Sequence, residues 1–226
     1  MWNLEKRVEE AMMSLKRKAY DIIKENIITC RYMPGEFLNE TQLMEEIGTS
    51  RTPIREALSK LEQEKFVRIL SKKGIMVSEL SLKEIGDVYQ VRLMLEPQIV
   101  RQWGSSIPVD GLEQCRAKLL GYDPSMDVTQ RNAIDDCLHR LIIDSCPNSY
   151  FNRWMTHIYC QNQRIRVITG QLGQMMEENN EDHLRITETL LMSDYEAAGD
   201  LMYAHLEESK KRTFDNLLKN GPQYGV

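Results

Sequence analysis

Apolar residues recur at helical spacing along almost the whole of this 226-residue chain, and one short stretch departs from that pattern. Residues 8–28, for example, place an apolar side chain at every third or fourth position, as an amphipathic helix requires. The exception is residues 66–77, where two short β-prone runs flank a polar turn that contains Gly74. Such runs predict a β-hairpin. A helical chain with one hairpin excludes sandwiches, barrels and sheets that alternate strands with helices.

The segment before this hairpin has the start and stop residues of a helix–turn–helix. Asn39 stands at the N-cap position of a short helix that Gly48 ends. Ser50 then caps a second helix, with Pro53 in its first turn, where proline loses no hydrogen bond. A helix, a helix–turn–helix and a hairpin in this order predict a winged helix–turn–helix domain in residues 1–80.

Residues 81–226 predict an all-helical domain. The expected helices are 82–103, 110–121, 127–146, 149–169, 176–193 and 194–218. The predicted fold class is therefore mostly α, with an N-terminal winged helix–turn–helix that has a short β-hairpin wing, followed by a C-terminal helical bundle.

Charge and cysteine content narrow the classes of function. Residues 1–80 carry 14 Lys and Arg against 13 Asp and Glu, whereas residues 81–226 carry 15 against 21. This charge balance disfavours a protein that covers nucleic acid without sequence preference. Five scattered cysteines without a Cys-x-x-Cys pair make a disulfide framework or a thiolate zinc site unexpected. The same cysteine pattern fits a reducing compartment, so we expect a cytoplasmic protein. No run reaches the roughly 18 apolar residues of a membrane span.

The second helix of the helix–turn–helix carries residues suited to reading DNA, because its N-terminal end enters the major groove in this motif. Arg51 and Arg55 share the polar face, and a guanidinium binds guanine bidentately or grips a phosphate. Thr52 adds a hydroxyl for phosphate. In the wing, Lys73 supplies a cation and Gly74 permits close backbone approach. The alternative is that both arginines are only solvated surface charges.

The whole N-terminal pattern resembles the GntR family of bacterial transcription regulators. The residues that carry this resemblance are Met33-Pro34-Gly35-Glu36-Phe37-Leu38-Asn39-Glu40, Glu46-Ile47-Gly48-Thr49-Ser50-Arg51-Thr52-Pro53-Ile54-Arg55-Glu56-Ala57-Leu58 and Gly74. The resemblance implies that Arg51, Thr52, Arg55 and Gly74 contact operator DNA. Some family members have an arginine where this chain has Thr41, so we do not expect that contact here.

Histidines are rare in this chain, and three of them suggest a metal site. Asp135 and His139 are four positions apart and so share one face of a predicted helix, while His183 and His205 lie on two other helices. A bundle can bring such helices together at its centre. One carboxylate and three imidazoles suit a divalent transition metal such as Zn, Ni or Mn. The alternative is that each histidine is an ordinary, partly buried polar residue.

Residues 81–226 also resemble the helical effector domain of the FadR subfamily, in its FCD type. The matching features are Tyr89-Gln90-Val91-Arg92-Leu93-Met94-Leu95-Glu96-Pro97, Asp135-x-x-x-His139, Pro147-Asn148, His183 followed by Ile186, and Ala204-His205-Leu206. The resemblance implies that Asp135, His139, His183 and His205 bind a metal, and that the effector is a small organic acid. His157 matches no ligand position.

Arg92, on the first helix of this half, is the candidate contact for the effector. The resemblance implies that a cation at this position points into the pocket and bonds an acidic effector. The alternative is a salt bridge within the protein, with Glu96 as the partner. Arg164 and Arg166 are weaker candidates for the same role.

These features predict a transcriptional repressor. Residues 1–80 would bind DNA, and residues 81–226 would bind the effector and form a homodimer. The dimer would bind a near-palindromic, double-stranded operator, and the organic acid at the metal site would control its affinity. Two alternatives stay open: the metal is only structural or is itself the signal, or the site belongs to a metal-dependent enzyme. No further base, nucleophile or phosphate-binding loop accompanies the ligands, so we do not expect an enzyme.

Overall fold

The structure is a computed structural model, and it describes residues 2–71, 74–169 and 175–220. The first compact unit, which ends at Leu80, contains α1 (Trp2–Ile28), β1 (Phe37–Leu38), α2 (Glu40–Ile47), α3 (Arg51–Gln63), β2 (Val67–Leu70) and β3 (Gly74–Val77). The second, which begins at Ser81, contains α4 (Leu82–Trp103), a 3₁₀ turn (Gly104–Ser106), α5 (Val109–Leu120), α6 (Val128–Ser145), α7 (Ser149–Ile168), α8 (Met175–Leu191) and α9 (Tyr195–Asn220).

The core of the first unit lies where α1 packs against α3. Both helices have one apolar face that is fully withdrawn from water, made of Ala19, Ile23 and Ile27 in α1 and Ile54, Ala57, Leu58 and Leu61 in α3. The face of α3 opposite this core stays exposed, because its apolar residues repeat with the helical period. The N-terminal end of α3 is thereby presented to the outside.

The caps of α2 and α3 explain where the turn of the helix–turn–helix falls. The Asn39 side chain accepts hydrogen bonds from the backbone N–H groups of Thr41 and Gln42, as an N-cap should. Gly48 ends α2 with a left-handed φ of 70°. Ser50 stands at the N-cap position of α3, but its side chain makes no capping hydrogen bond in the described part of the chain, so this detail of the prediction was wrong.

The wing contains one strand more than the predicted hairpin. Three antiparallel strands lie in the order β1-β3-β2, and Phe37 and Leu38 pair with Met76 and Ile75. A strand of two residues is too short to show the alternation by which strands are recognised in a sequence. The predicted fold class, mostly α with a winged helix–turn–helix and a helical bundle, is confirmed.

The second unit is a bundle in which α4 packs against α9 and α7, and α8 packs against α5 and α9. Capping boxes begin α4 at Ser81 and α6 at Asp127. In each, the N-cap side chain accepts a hydrogen bond from the backbone N–H of the third helical residue, whose side chain accepts one from the backbone N–H of the N-cap residue. The predicted helices end within two residues of the observed ones. Among the described residues, none of the helices is both long and apolar enough to cross a membrane.

A disulfide joins Cys115 of α5 to Cys137 of α6, with the two Cα atoms 5.9 Å apart. The sequence predicts no disulfide framework, and this single bond was not anticipated. The two residues are 22 positions apart in the sequence, and no spacing rule relates cysteines on different helices. They meet because α5 and α6 are packing neighbours, which only the tertiary structure reveals.

Candidate metal centre and nucleic-acid interface

Three helices of the bundle bring three buried histidines to one point. His139 lies on α6, His183 on α8 and His205 on α9, and their side chains are at most 4% exposed. The Nε2 atom of His183 is 3.1 Å from Nε2 of His139 and 3.0 Å from Nε2 of His205. One ligand atom from each ring lies within 4.8 Å of the other two.

Carboxylates hold the outer nitrogens of two of these rings. His139 Nδ1 lies 2.7 Å from Glu96 Oε2, and His205 Nδ1 lies 3.3 Å from Asp182 Oδ2. A carboxylate only accepts hydrogen bonds, so each Nδ1 carries the hydrogen. In the neutral ring, Nε2 then carries a lone pair that points toward the other histidines.

Burial favours the neutral form of two rings of this cluster, His183 and His205. It lowers the pKa of His183 well below the ordinary value, and it lowers the pKa of His205 to about 4 even though Asp182 acts in the opposite direction. A neutral His183 has one N–H, which satisfies at most one of its two close Nε2 neighbours. At least one pair of lone pairs therefore meets without a hydrogen between them, and a cation at the centre would satisfy all three rings.

Asp135 lies beside this histidine cluster and not within it. Its Oδ1 atom is 3.7 Å from Nδ1 of His183, and that nitrogen has no hydrogen-bond partner among the described residues. The other oxygen of Asp135 pairs with Nη1 of Arg166. The structure thus gathers three of the four predicted ligands at one point and places the fourth at the edge of the cluster.

Arg92 forms the salt bridge with Glu96 that was the alternative to effector binding, and it also lies against the histidine cluster. The buried guanidinium donates from Nε to Glu96 at 2.6 Å and from Nη1 to Asn162 at 2.9 Å. Its remaining end, Nη2, lies 3.4 Å from each ring nitrogen of His139. Burial would raise the pKa of Glu96, but Arg92 and His139 outweigh it and hold that pKa at about 2. Arg92 is therefore ion-paired and also faces the histidine cluster.

Several buried groups of this site were not predicted from the sequence. Asp136, the neighbour of Asp135, accepts hydrogen bonds from Tyr159 at 2.7 Å and Gln163 at 2.6 Å, and it pairs with Arg166. Arg166, a weaker sequence candidate, thus bridges two carboxylates. The consecutive aspartates were the one sequence feature that could have drawn attention to Asp136.

The exposed end of α3 carries the residues predicted to contact DNA. Arg51, Thr52 and Arg55 are all exposed there. Arg55 donates from Nε to both carboxylate oxygens of Glu40, at 2.9 and 3.1 Å. The Nε atom of Arg51 lies 3.5 Å from the same carboxylate. The first residue of α2 therefore gathers both arginines on one surface.

The wing contributes the second part of this surface. Gly74 begins β3 with a φ of 101°, which only glycine adopts readily. Together with Glu40 and Arg55 it lines a groove of about 940 Å³. Lys73, the predicted cation of the wing, lies outside the described residues.

The fold defines a class of protein: a winged helix–turn–helix unit followed by an all-helical domain, as in bacterial transcription regulators. Residues 15–77 match the family described as bacterial regulatory proteins, gntR family. Residues 87–208 match the FCD domain. The chain belongs to the GntR family of transcription regulators and carries an FCD domain.

Relatives agree with this assignment, and solved structures share the fold. The HTH-type transcriptional repressor GlaR of Escherichia coli strain K12 is 26% identical over 201 residues, which cover 83% of this chain and 90% of the relative. A GntR regulator of Rhodococcus sp. RHA1 is similar in structure, with a TM-score of 0.80 at 18% identity over 89% of this chain and 98% of its own. The Zn²⁺-bound FCD domain of a further transcriptional regulator has a TM-score of 0.53 at 20% identity, over 62% and 98%.

Proposed function

We propose that this protein is a repressor of the FadR subfamily that binds a divalent metal and a small organic acid in its helical domain. Residues 1–80 bind the operator, and residues 81–226 sense the effector and form a homodimer. The observation that carries this proposal is the convergence of three buried imidazoles, in which Nε2 of His183 lies 3.1 Å from Nε2 of His139 and 3.0 Å from Nε2 of His205. A cytoplasmic location fits a regulator of this class.

The residues present fit a metal of the Zn, Ni or Mn type. Ring nitrogens bound to one ion lie roughly 3.0–3.4 Å apart when each metal–nitrogen distance is about 2.1 Å. The separations of 3.0 and 3.1 Å fall in that range. Glu96 and Asp182 stand where second-shell carboxylates orient ligating histidines. His139, His183 and His205 would hold the ion. Asp135, which lies 3.7 Å from Nδ1 of His183 and is paired with Arg166, would become the carboxylate ligand only after moving toward the ion. The Zn²⁺-bound FCD domain among the similar structures supports this assignment.

Arg92 is the residue that selects an acidic effector. Its Nη2 atom faces the histidine cluster, while Nε and Nη1 are fixed by Glu96 and Asn162. A bound metal is a Lewis acid that attracts a carboxylate oxygen. A small organic acid could therefore bind the ion through its carboxylate and accept a hydrogen bond from Arg92, whose side chain is already held in place.

DNA binding is assigned to Arg51, Thr52, Arg55, Lys73 and Gly74. The two arginines offer forked donors to base edges and phosphates, and the wing residues approach the backbone. Two copies related by a twofold axis would place two such surfaces on successive turns of a near-palindromic operator. We propose that the effector acts by changing the affinity of this dimer for the operator.

The first test is a thermal-shift measurement on chelator-treated full-length protein. Adding Zn²⁺, Ni²⁺ or Mn²⁺ should raise Tm, by the equivalent of about 2.7 kcal/mol at a metal concentration 100 times Kd. A small carboxylic acid should raise Tm further only when the metal is present. The variant His183→Gln should lose the metal shift, whereas His157→Gln, which changes the histidine outside the cluster, should keep it. A shift of equal size in both variants would reject the site.

Operator binding then separates this proposal from the two alternatives. If the metal is sensing, chelated protein should keep its operator affinity and lose its response to the acid. Loss of the fold on chelation would indicate a structural metal. An enzyme would instead convert a candidate acid, and that conversion would stop on chelation.

A further inference from the structure

An acidic side chain sits within the surface that we assign to DNA binding, where it would repel phosphate. Glu40, the first residue of α2, contacts both Arg51 and Arg55, and its side chain is 24% exposed. We propose that Glu40 is a positioning residue that aims Arg55 at a guanine of the operator and thereby makes binding selective for sequence. This inference rests on the proposed contact between Arg55 and DNA.

The hydrogen bonds of Arg55 are made on one side of its guanidinium. Glu40 accepts from Nε alone, with both carboxylate oxygens. Within the described part of this unit, Nη1 and Nη2 of Arg55 make no hydrogen bond. These two nitrogens form the end of the fork that matches O6 and N7 of guanine. Glu40 therefore holds the arginine by its side and leaves its base-reading end available.

Holding Arg55 in this way lowers the cost of binding a base. An unrestrained arginine loses much of its rotamer freedom when its guanidinium is fixed against a base edge. Here the carboxylate already restrains a side chain that is 64% exposed. Less freedom remains to be lost on contact with DNA, so a guanine contact gains relative to a contact made by a mobile side chain.

The negative charge of Glu40 also affects selectivity, because it weakens non-specific binding to DNA. Phosphates attract arginines at every sequence, which gives non-specific binding. A carboxylate beside two arginines reduces that attraction, whereas a guanine edge offers acceptor atoms without a full negative charge. Glu40 thus weakens binding to any duplex more than it weakens binding to the correct one.

A simpler role for Glu40 is to stabilise α2. A carboxylate in the first helical turn interacts favourably with the helix dipole, and Asn39 caps the same end. This role predicts a change in stability without any change in base preference. The two roles are therefore separated by measuring which base is preferred at each operator position.

The experiment uses full-length protein and a library of randomised duplexes long enough to hold two half-sites about 10 base pairs apart, since no operator is required in advance. Glu40→Asp keeps the negative charge but shortens the side chain by one methylene group, and Glu40→Gln removes the charge at constant length. Glu45→Gln, on an exposed position of the same helix, is the matched control. Arg55→Ala identifies the base pair that Arg55 reads.

We expect Arg55→Ala to abolish a guanine preference at one position of each half-site. Both Glu40→Asp and Glu40→Gln should reduce that same preference about tenfold, which is within the range of one bidentate base contact. Only Glu40→Gln should increase binding to unrelated duplexes at low salt. In an Arg55→Ala background, neither Glu40 variant should alter base preference further.

Two results would contradict this inference, and a third would contradict the proposed function itself. A guanine preference retained in both Glu40 variants means that Glu40 does not position Arg55. An equal loss in Glu45→Gln means that the effect is one of overall charge. An Arg55→Ala protein with unchanged binding to every duplex would instead reject the DNA contact on which the inference rests.

Discussion

At the scale of single residues, the histidine cluster combines good geometry for a cation with poor complementarity in its absence. The Nε2 atom of His183 approaches two other ring nitrogens to 3.1 Å or less. Close approach of lone pairs without an intervening hydrogen is unfavourable in a buried site. A cluster of this kind therefore gives up stability for binding, as functional sites often do.

Replacing His183 with glutamine should show this cost directly. In chelated protein, His183→Gln should be at least as stable as the unmodified chain, because an amide N–H can donate to a facing lone pair. With metal added, the order should reverse, because only the unmodified chain gains binding energy. Urea unfolding with and without Zn²⁺ measures both free energies.

The control for this experiment is His157→Gln. Added Zn²⁺ should shift the unfolding curve of this variant as much as it shifts that of the unmodified chain. If chelated His183→Gln proved less stable than chelated unmodified protein by several kcal/mol, the histidines would be ordinary packing residues. The alternative stated from the sequence would then be correct.

Part of this site can be predicted from the sequence because histidine is rare in the chain. Four histidines in the chain, one of them four positions after an aspartate, stand out without any structure. Asp136 and Asp182 do not, because acidic residues are common on helix surfaces and burial is set by how whole helices pack. Glu96 is predicted only as the partner of Arg92, and not as the carboxylate that contacts His139. The ion pair of Asp135 with Arg166 depends on α6 meeting α7, which no local pattern encodes.

At the scale of elements, a polar network ties α1 to α3 in the first unit. Lys24 donates to Glu64 at 2.7 Å, and Tyr20 donates to the same carboxylate at 2.8 Å. Burial raises the pKa of Glu64, but these two hydrogen bonds outweigh it, so the net shift is downward. The charged form is therefore favoured by folding.

The variant Glu64→Gln should lower the free energy of unfolding by about 1 kcal/mol at pH 7, a modest value because the pair is partly exposed. A lowered pKa contributes stability above the unfolded value near 4.5 and loses it as pH falls through the folded value. The difference between the two proteins should thus shrink below about pH 4.5. Urea unfolding from pH 7 to pH 3 checks this, with Glu45→Gln as the control; a constant difference would reject the network.

Two glycines of the second unit differ in what surrounds them. A Cβ atom on Gly86, within α4, would meet only Phe214 at 3.8 Å, an ordinary contact. On Gly104, where α4 ends, it would overlap the ring of Tyr195. Gly86→Ala should therefore stabilise the protein by up to about 1 kcal/mol. Gly104→Ala should destabilise it by about 1–3 kcal/mol through overpacking.

Thermal unfolding of the two alanine variants is a matched comparison, because both make the same chemical change in the same bundle. Shifts of Tm in opposite directions are expected. Equal shifts would mean that backbone entropy alone decides, and that the close approach of Tyr195 to the chain near Gly104 does not matter for stability.

Elements were easier to predict than their contacts for a physical reason. Helical periodicity is local, so α4 was expected at 82–103 and is found there. The short strand β1 and the Cys115–Cys137 disulfide both require partners distant in the sequence. Neither a two-residue strand nor a pair of scattered cysteines produces a periodic pattern in the sequence.

At the scale of the whole molecule, the uneven charge shapes how the protein should search for its site. Residues 1–80 are nearly balanced, whereas residues 81–226 carry six more acidic than basic side chains. Few phosphates are neutralised by such a chain, so non-specific affinity should be weak. Selectivity then has to come from base contacts and from the pairing of two half-sites.

The salt dependence of operator binding tests this view. Each subunit offers Arg51 and Lys73 to phosphates if Arg55 reads a base, so a dimer would neutralise about four phosphates and the slope of log affinity against log salt would be about −4. Fluorescence anisotropy between roughly 50 and 200 mM KCl, with the best duplex from the library, measures this slope. Arg51→Ala should make the slope shallower by about two, since each subunit loses one phosphate contact. Arg55→Ala should lower affinity at every salt concentration with little change in slope. A slope near −8 would instead mean that unassigned basic residues hold the DNA backbone, and that the low net charge does not limit non-specific binding.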